Sequence, residues 1–324
     1  MPVGVLWRTL LSRPGSLMAH VFMSSGEMIA DRRFDYGRDL ELRGDLAGAA
    51  DLFMQAIELA PDFASAWFAL GDVRERQGDK TGAIDAFRRA KAANGADLLG
   101  ADLRLLRLAG GNLAAMSRQY VTKLYDQYAP KFEQSLVGEL SYRGPALLFE
   151  AVSATCEATS RPMRFHRAID LGCGTGLAAR AFKNSVEEFI GIDLSAEMIK
   201  RAQTTGLYQS LATADAVEGL AHQADARADL VLAADMMIYI HDLAPLFAQA
   251  ARVLQQRGLF AFTAETHDGE GILLGSGLRF AQSEAYLHDL LEQTGFTVAR
   301  VDHASIRTER EVPVPSLVIV ALKS

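Results

Sequence analysis

The sequence predicts two parts of different fold class, an all-α domain at the N-terminus and a doubly wound α/β domain at the C-terminus. Residues 30–97 repeat with a period of 34, which is typical of stacked helical pairs. From Phe165 onward, short stretches rich in Val, Ile, Leu and Phe alternate with amphipathic helices. Continuous apolar strands separated by helices predict a mostly parallel sheet that is covered on both faces.

The composition limits the classes of protein to which the chain can belong. Its 324 residues are enough for two domains, and 49% hydrophobic with 23% charged residues is an ordinary globular balance. A formal net charge of −7 argues against nucleic acid as a partner, because binding phosphate backbones requires a basic surface. No apolar run is long enough for a membrane helix, so we expect no membrane partner.

Cysteine usage indicates a reduced compartment. Cys156 and Cys173 are the two cysteines of the sequence, and they form neither a disulfide framework nor a metal-ligand spacing. We therefore expect a cytoplasmic protein without a metal site. Residues 1–29 are predicted to be a flexible leader, since MPVGVLWRTLLSRPG lacks the order of a signal peptide. Alternatively, translation begins at Met18 or Met23.

The helical repeats are defined by small residues and phenylalanines at matching positions. Small residues let antiparallel helices approach closely, and the phenylalanine fills the gap between successive pairs. The matching pairs are Gly37 and Gly71, Gly44 and Gly78, Ala49 and Ala83, Phe53 and Phe87, and Ala56 and Ala90. This pattern resembles the tetratricopeptide repeat; an ordinary helical bundle is the alternative.

Two such repeats cannot bury a continuous core alone, because each repeat stacks on its neighbour. Residues 96–116 have apolar residues at helical spacing. We predict that they form either a degenerate third repeat or a capping helix. We expect the helical domain to span residues 30–117 and to bind a protein partner or a second copy of the chain.

A glycine-rich turn, LGCGTG at residues 171–176, follows the first predicted strand. A turn between a strand and a helix start lets backbone amides approach a ligand. The dinucleotide fingerprint requires a small residue three positions after its second glycine, where this chain has Leu177 after Gly174. The spacing therefore disfavours a nicotinamide-dependent oxidoreductase.

Aspartates around this turn indicate the ligand. Asp170 would repel a pyrophosphate but would attract the ammonium group of a methionine moiety. Asp193 comes seventeen residues after Gly176, at the end of the next strand, where it would accept hydrogen bonds from ribose hydroxyls. Asp215 follows a weak third strand and would meet an adenine amino group. Together they predict S-adenosylmethionine, which carries an ammonium and a sulfonium.

Three segments carry a resemblance to a known family. AIDLGCGTGLAARAF, FIGIDLSAEMIKRA and ADLVLAADMMIYIHDL resemble successive motifs of class I S-adenosylmethionine-dependent methyltransferases. With the repeats, the chain is similar to the bacterial group that joins tetratricopeptide repeats to such a domain. The resemblance implies a Rossmann-like methyltransferase sheet, mostly parallel with an antiparallel last strand, over residues 161–324.

The resemblance also implies the residues that bind S-adenosylmethionine. The methionine part would contact Asp170, Gly172, Cys173 and Gly174, and Asp193 would hold the ribose. The adenine would lie between Leu194 and Met198, with Asp215 and Ala216 at its edge and Ala233 beside the site.

A tyrosine-rich segment within residues 118–160 is predicted to be a helical lid and linker. LYDQYAPKFE is similar to a helix that many small-molecule methyltransferases fold over the cofactor. Tyr125 and Phe132 occupy its aromatic positions, where a ring could face the sulfonium and exclude water. The alternative is a helix that packs between the domains.

Residues for the chemistry are harder to assign, because a general base is needed only if the acceptor must lose a proton. Tyr239 and His241 follow the fourth strand, where Tyr239 could orient an acceptor and His241 could act as a base. Alternatively, Tyr239 packs against the lid and His241 lies on the surface. His267 and Arg279 belong to the glycine-rich segment ETHDGEGILLGSGLRF, a candidate cover for the site. Arg279 would pair with an acceptor carboxylate or with a surface acid.

These observations predict a methyltransferase whose acceptor is a small molecule. A protein is the less favoured class of acceptor. The alternative is a tetratricopeptide-repeat interaction protein whose α/β domain binds the cofactor without turnover. Motifs for methylating nucleic acid bases are absent: AADMMIYI lacks an Asn/Asp-Pro-Pro-aromatic motif, and Cys173 does not belong to a Pro-Cys loop.

Overall fold

The computed structural model describes residues 21–109, 116–132, 141–275, 277–309 and 312–324. The chain divides into two compact units between Gly110 and Gly111. Most of the predicted leader, residues 1–20, lies outside the described residues. The described residues contain no helix that is both long and apolar enough to cross a membrane.

The N-terminal unit consists of helices in antiparallel succession. Its helices are α1 (Met28–Leu42), α2 (Leu46–Leu59), α3 (Ala64–Arg76), α4 (Lys80–Ala93) and α5 (Ala101–Ala109). The N-terminal caps of α2 and α4 are equivalent in the two repeats. Asp45 and Asp79 each accept a hydrogen bond from the backbone nitrogen three residues later, at 3.0 and 2.9 Å. Equivalent sequence positions therefore start equivalent helices.

Close helix packing explains two of the repeated glycines. A Cβ atom at Gly37 would lie 2.6 Å from the ring of Phe53, and one at Gly71 would lie 2.7 Å from the ring of Phe87. Both phenylalanines are completely buried. The glycines thus let each first helix of a pair rest directly on the aromatic ring of the second.

Helix α5 is joined to the second repeat by a buried ion pair. Arg104 of α5 lies 2.9 Å from the carboxylate of Asp72 on α3, and both side chains are buried. The same guanidinium lies over the rings of Phe68 and Phe87. Since residues 110–115 lie outside the described residues, whether residues 96–116 form a third repeat or a cap stays a prediction.

The C-terminal unit is built on a seven-stranded sheet in the order β3-β2-β1-β4-β5-β9-β8. The main strands are β1 (Phe165–Leu171), β2 (Val186–Asp193), β3 (Tyr208–Thr213), β4 (Ala228–Ala233), β5 (Leu254–Glu265), β8 (Phe296–Glu309) and β9 (Val312–Lys323). Strands β1 to β5 are parallel, and β9 is antiparallel to both of its neighbours. The predicted fold class is confirmed.

Helices cover both faces of this sheet, as its continuous apolar strands predicted. They are α6 (Arg118–Tyr128), α7 (Gly144–Ala158), α8 (Leu177–Phe182), α9 (Ala196–Thr204), α10 (Ala216–Ala221), α11 (Ala244–Val253) and α12 (Glu284–Gln293). One buried cluster joins the sheet to α10, α11 and α12, and the other joins it to α7 and α8. A short hairpin of β6 (Ile272–Leu274) and β7 (Phe280–Gln282) follows β5.

The loops that follow β1, β2, β3 and β4 all leave the same edge of the sheet, because these strands are parallel. The glycine turn leaves β1, Asp193 ends β2, and Tyr239 lies in a single turn of 3-10 helix after β4. Ligands of open α/β sheets bind at this carboxyl edge. The fold therefore brings the separate sequence motifs to one place.

Candidate ligand site

A cavity of about 370 Å³ lies at this edge, between α6 and the strand ends. Most residues predicted to contact a cofactor or acceptor line it. These are Tyr125, Phe132, Asp170, Gly172, Cys173, Gly174, Asp193, Leu194, Asp215, Ala216, Tyr239 and His241. Residues separated by more than 100 positions in the sequence thus line one cavity.

The glycine turn approaches the cavity with left-handed backbone. Gly172 has a φ of +61° and Gly174 a φ of +52°, a conformation that side chains other than glycine rarely adopt. A Cβ atom at Gly172 would also lie 2.9 Å from Cβ of Met236. Both the conformation and the close contact require glycine at this position.

Asp193 joins the end of β2 to the glycine turn. One carboxylate oxygen accepts a hydrogen bond from the backbone nitrogen of Gly174 at 2.8 Å, and the other accepts one from Ser195 at 2.8 Å. Burial raises the pKa of Asp193 to about 6, although these two hydrogen bonds lower it. The carboxylate is therefore fixed in position at the cavity wall.

Asp170, near the end of β1, is a buried carboxyl group at the same cavity. Only 1% of its surface is exposed, and it accepts a hydrogen bond from the hydroxyl of Tyr208 at 2.6 Å. Burial raises the pKa of Asp170 to about 7; the Tyr208 hydroxyl opposes this change and the charge of Asp193 adds to it. A positively charged ligand group in the cavity would favour the ionised form of both acids.

The cavity also contains a hydroxyl that needs a partner. Thr175, in the glycine turn, is 3% exposed, and among the described residues its hydroxyl has no hydrogen-bond partner. A buried hydroxyl without a partner costs about 1–3 kcal/mol. Buried acids for cationic or hydroxyl groups, a hydroxyl and free space together fit a ligand with an ammonium, a carboxylate and a ribose.

Helix α6 is held over the cavity by contacts to three loops. The hydroxyls of Tyr125 and Tyr239 lie 2.7 Å apart, and Ser195 donates a hydrogen bond to Asp126 at 2.6 Å. Arg118 lies 3.3 Å from Asp215, the residue whose carboxylate also caps α10 by accepting from the Val217 nitrogen. Each contact joins α6 to a loop that follows a different strand.

Four predicted residues do not line the cavity. Met198 and Ala233 are completely buried in the packing of the unit. His267 bonds to its own turn, where its Nδ1 accepts from the nitrogen of Gly269 at 3.0 Å. Arg279 lies 2.7 Å from Glu265, so an acid of the same unit, and not a ligand in the cavity, is its partner here.

A buried ion cluster, which the sequence analysis did not predict, lies behind the cavity. Arg307 of β8 is 3% exposed and pairs with Asp235, which lines the cavity, and with Glu265. Burial lowers the pKa of Arg307, but the two carboxylates outweigh burial and raise it. One signal was available in the sequence: in ASIRTE, a single arginine follows apolar residues within the same strand.

Comparison with known proteins identifies two regions. Residues 169–262 match the family model of a methyltransferase domain, and residues 35–97 match that of a tetratricopeptide repeat. The chain is 38% identical to human methyltransferase-like protein 27, over 27% of this chain and 34% of that protein. It is 29% identical to the ubiquinone biosynthesis O-methyltransferase of Paracidovorax citrulli, over 35% of this chain and 49% of the relative.

Among solved structures, the chain is similar to that of the [4+2]-cyclase SpnF, with a TM-score of 0.52 and 18% identity. The similarity covers 66% of this chain and 99% of that protein. At this identity the likeness concerns the fold. The chain spans between a third and a half of the length of the two curated relatives.

Proposed function

We propose that this chain is an S-adenosylmethionine-dependent methyltransferase that acts on a small-molecule acceptor, because its sequence matches the models of a methyltransferase domain and of tetratricopeptide repeats. The observation that carries the proposal is the pair of acids, buried Asp170 and half-buried Asp193, on either side of a glycine turn at the wall of one cavity. S-adenosylmethionine, the cofactor of this domain family, supplies a methyl group on a sulfonium when it is bound.

The cavity residues divide into those for the amino-acid end and those for the nucleoside end of the cofactor. Asp170 and the amides of the glycine turn are assigned to the methionine moiety, with Gly172, Cys173 and Gly174 as its contacts. Asp193 is assigned to the ribose hydroxyls. Leu194, Asp215 and Ala216 are assigned to the adenine ring, and the rings of Tyr125 and Phe132 to the sulfonium side.

The acceptor is assigned to the part of the cavity between α6 and the loop after β4. Tyr125, Tyr142 and Tyr239 surround Asp235 there. Burial raises the pKa of all three tyrosines, so their hydroxyls stay protonated and can donate hydrogen bonds to an acceptor. Asp235, held by Arg307, can accept one from it.

His241 lies at the same end and packs against the ring of Phe280, with ring centroids 5.4 Å apart. It could accept a proton from an acceptor that must lose one to react. Orientation is the main task of these residues, because methyl transfer from a sulfonium is an in-line displacement. The cover formed by α6 favours an acceptor small enough to be enclosed.

The repeats are proposed to bind a protein partner or a second copy of the chain in the cytoplasm. On α1, Met28, Ile29 and Tyr36 expose 74%, 53% and 56% of their surfaces. Exposed apolar side chains on a repeat surface are typical of binding faces. The partner is not assigned.

A second candidate function is that of an interaction protein whose methyltransferase-like domain binds the cofactor without turnover. The observation in its favour is the exposed apolar surface of α1, which suits a binding role whether or not the second domain is active. A fold does not by itself require methyl transfer, because one fold can carry different functions.

The two candidates are separated by incubating the purified full chain with S-adenosylmethionine labelled in its methyl group and with a metabolite extract. Methyl transfer predicts label in a small molecule, which disappears with Asp193→Ala and persists with the surface variant Asp289→Ala. Label in a protein fraction would change the acceptor class. Tight binding of S-adenosylhomocysteine without label in either fraction would favour the interaction protein.

A further inference from the structure

The side chain of Tyr208, which lies outside the cavity lining, is hydrogen-bonded to one of the acids that line the cavity. Tyr208 begins β3, and Asp170 belongs to β1, with β2 between them in the sheet. The hydroxyl of Tyr208 nevertheless donates a hydrogen bond to Oδ2 of Asp170 at 2.6 Å. Tyr208 is not among the residues that line the cavity. Any effect of Tyr208 on a ligand there would therefore act through Asp170.

The ring of Tyr208 reaches β1 because the intervening strand has a glycine at the crossing point. Gly191 of β2 pairs with Asp170 in the sheet register. A Cβ atom at Gly191 would lie 2.9 Å from Cε1 of Tyr208 and 2.6 Å from Leu211. Strand β2 therefore has room at this position for a ring to pass over it.

The ring also supports the glycine turn. A Cβ atom at Gly176 would lie 3.2 Å from the ring of Tyr208, and the ring packs edge to face on Phe189 with centroids 5.9 Å apart. The hydroxyl is thus held in place from three sides. Because the ring is packed, its hydroxyl needs little further ordering to bond the carboxylate.

Four groups of the described residues act electrostatically with Asp170, and none of these four is a cation. They are the hydroxyl of Tyr208, the carboxyl of Asp193, the thiol of Cys173 and the hydroxyl of Tyr142. Burial and the charge of Asp193 raise the pKa of Asp170, and the Tyr208 hydroxyl lowers it. Of these four groups, Tyr208 is the one that favours the carboxylate form.

We propose that Tyr208 is a positioning residue that holds Asp170 by one oxygen and orients the other to receive the ammonium group of the methionine moiety. The proposal rests on the proposed function, because it requires S-adenosylmethionine in the cavity. It assigns a role to a residue of an edge strand that neither the glycine turn nor the cavity lining includes.

The proposal predicts that removing the hydroxyl weakens binding only of ligands that carry the ammonium. Calorimetry at pH 7 would compare S-adenosylhomocysteine with 5′-methylthioadenosine, which keeps the nucleoside and the thioether but lacks the amino-acid moiety. For Tyr208→Phe, we expect roughly tenfold weaker binding of S-adenosylhomocysteine, since a hydrogen bond to a charged group has been lost. We expect 5′-methylthioadenosine to bind as it does to the wild type.

The matched control is Tyr286→Phe, which removes a hydroxyl from a half-buried tyrosine of α12 in the same unit. It should bind both ligands as the wild type does. In a second comparison, Tyr208→Phe is added to Asp170→Asn. Because that variant has no carboxylate to hold, the added change should cause little further loss, and the two effects should not be additive.

The pH profile provides an independent readout. Binding of S-adenosylhomocysteine requires ionised Asp170 and a protonated α-amino group on the ligand. Without the Tyr208 hydroxyl, the acidic limb of the profile should move to higher pH while the alkaline limb stays where it is. Loss of packing alone would lower affinity at every pH.

Three results would overturn the proposal. One is wild-type affinity of Tyr208→Phe for S-adenosylhomocysteine, and another is an equal loss for both ligands. A third is an unmoved acidic limb. If the wild type binds 5′-methylthioadenosine and S-adenosylhomocysteine and only this pattern fails, the proposed function stands; if it binds neither, both proposals fail together.

Discussion

The hydroxyl of Tyr125 on α6 lies 2.7 Å from the hydroxyl of Tyr239 in the loop after β4, and their rings meet at 89°. This pair connects the cover of the cavity to the part of the wall assigned to the acceptor. We therefore expect the position of α6 and the order of the loop after β4 to depend on each other through this contact.

The pair predicts that Tyr239→Phe loosens α6. Loss of one hydrogen bond should destabilise the closed position of α6 by about 0.5–1.5 kcal/mol. The helix should therefore open locally more often. Hydrogen exchange of the amides in Arg118–Tyr128 should become faster, whereas Tyr286→Phe should leave it unchanged. Unaltered exchange in Tyr239→Phe would show that the other contacts of α6 hold the cover without this one.

Asp193→Ala should weaken binding of S-adenosylmethionine by about 1 to 3 kcal/mol, the usual loss for a buried hydrogen-bond partner. The melting temperature should fall too, because the same carboxylate accepts from Gly174 and Ser195. Calorimetry and thermal unfolding measure the two effects. Asp289→Ala, on an exposed position of α12, is the control, and unchanged affinity in Asp193→Ala would refute the ribose assignment.

Asp170 should make the ligand-free protein less stable as pH rises. Burial raises its pKa from the usual 3.8 to about 7, so the folded protein keeps a proton that the unfolded chain releases. The stability contributed by this group is full below pH 4 and is lost as pH rises through 7.

Asp170→Asn should therefore raise the free energy of unfolding by about 3–5 kcal/mol at pH 8 and by about 1–2 kcal/mol at pH 5. Urea unfolding at the two pH values measures the difference, with Asp289→Asn as the exposed control. The same variant should bind S-adenosylhomocysteine weakly, as expected when stability and function are in conflict. An equal effect at both pH values would contradict the role of burial.

Arg307→Met should destabilise the protein strongly, because it leaves Asp235 and Glu265 without their shared cation. Removing one partner of a buried ion pair costs about 3–5 kcal/mol. The control is Arg300→Met, which breaks the half-exposed pair with Asp302 and should cost about 0–1 kcal/mol. Urea unfolding compares them, and equal costs would mean that the cluster adds nothing beyond a surface pair.

Gly71→Ala should destabilise the repeats although alanine favours helix. The added methyl would meet the buried ring of Phe87 at 2.7 Å, and overpacking of this kind costs about 1–3 kcal/mol. Gly95→Ala places a methyl where no atom lies within 4 Å, so it should be nearly neutral. Thermal unfolding would decide, and a neutral Gly71→Ala would mean that the helices can move apart.

The sequence by itself determined the repeats, the alternation of strands and helices, and the glycine turn. These features are local: a period of 34 residues, apolar runs and left-handed glycines such as Gly172 depend on neighbours along the chain. The parallel order of the strands then placed Asp170, Asp193 and Tyr239 at one edge, as expected for such sheets.

Only the tertiary structure decided which side chains act on these acids from a distance. Tyr208 reaches Asp170 over Gly191 across a whole strand, and Arg307 meets Asp235 from a strand 72 residues later in the sequence. Arg279 and His267 were predicted from a glycine-rich segment after the fifth strand, but the structure pairs Arg279 with Glu265 at the end of β5 and His267 with Gly269 of its own turn. Contacts of this kind depend on strand order and on single gaps in the packing, and neither leaves a periodic pattern in the sequence.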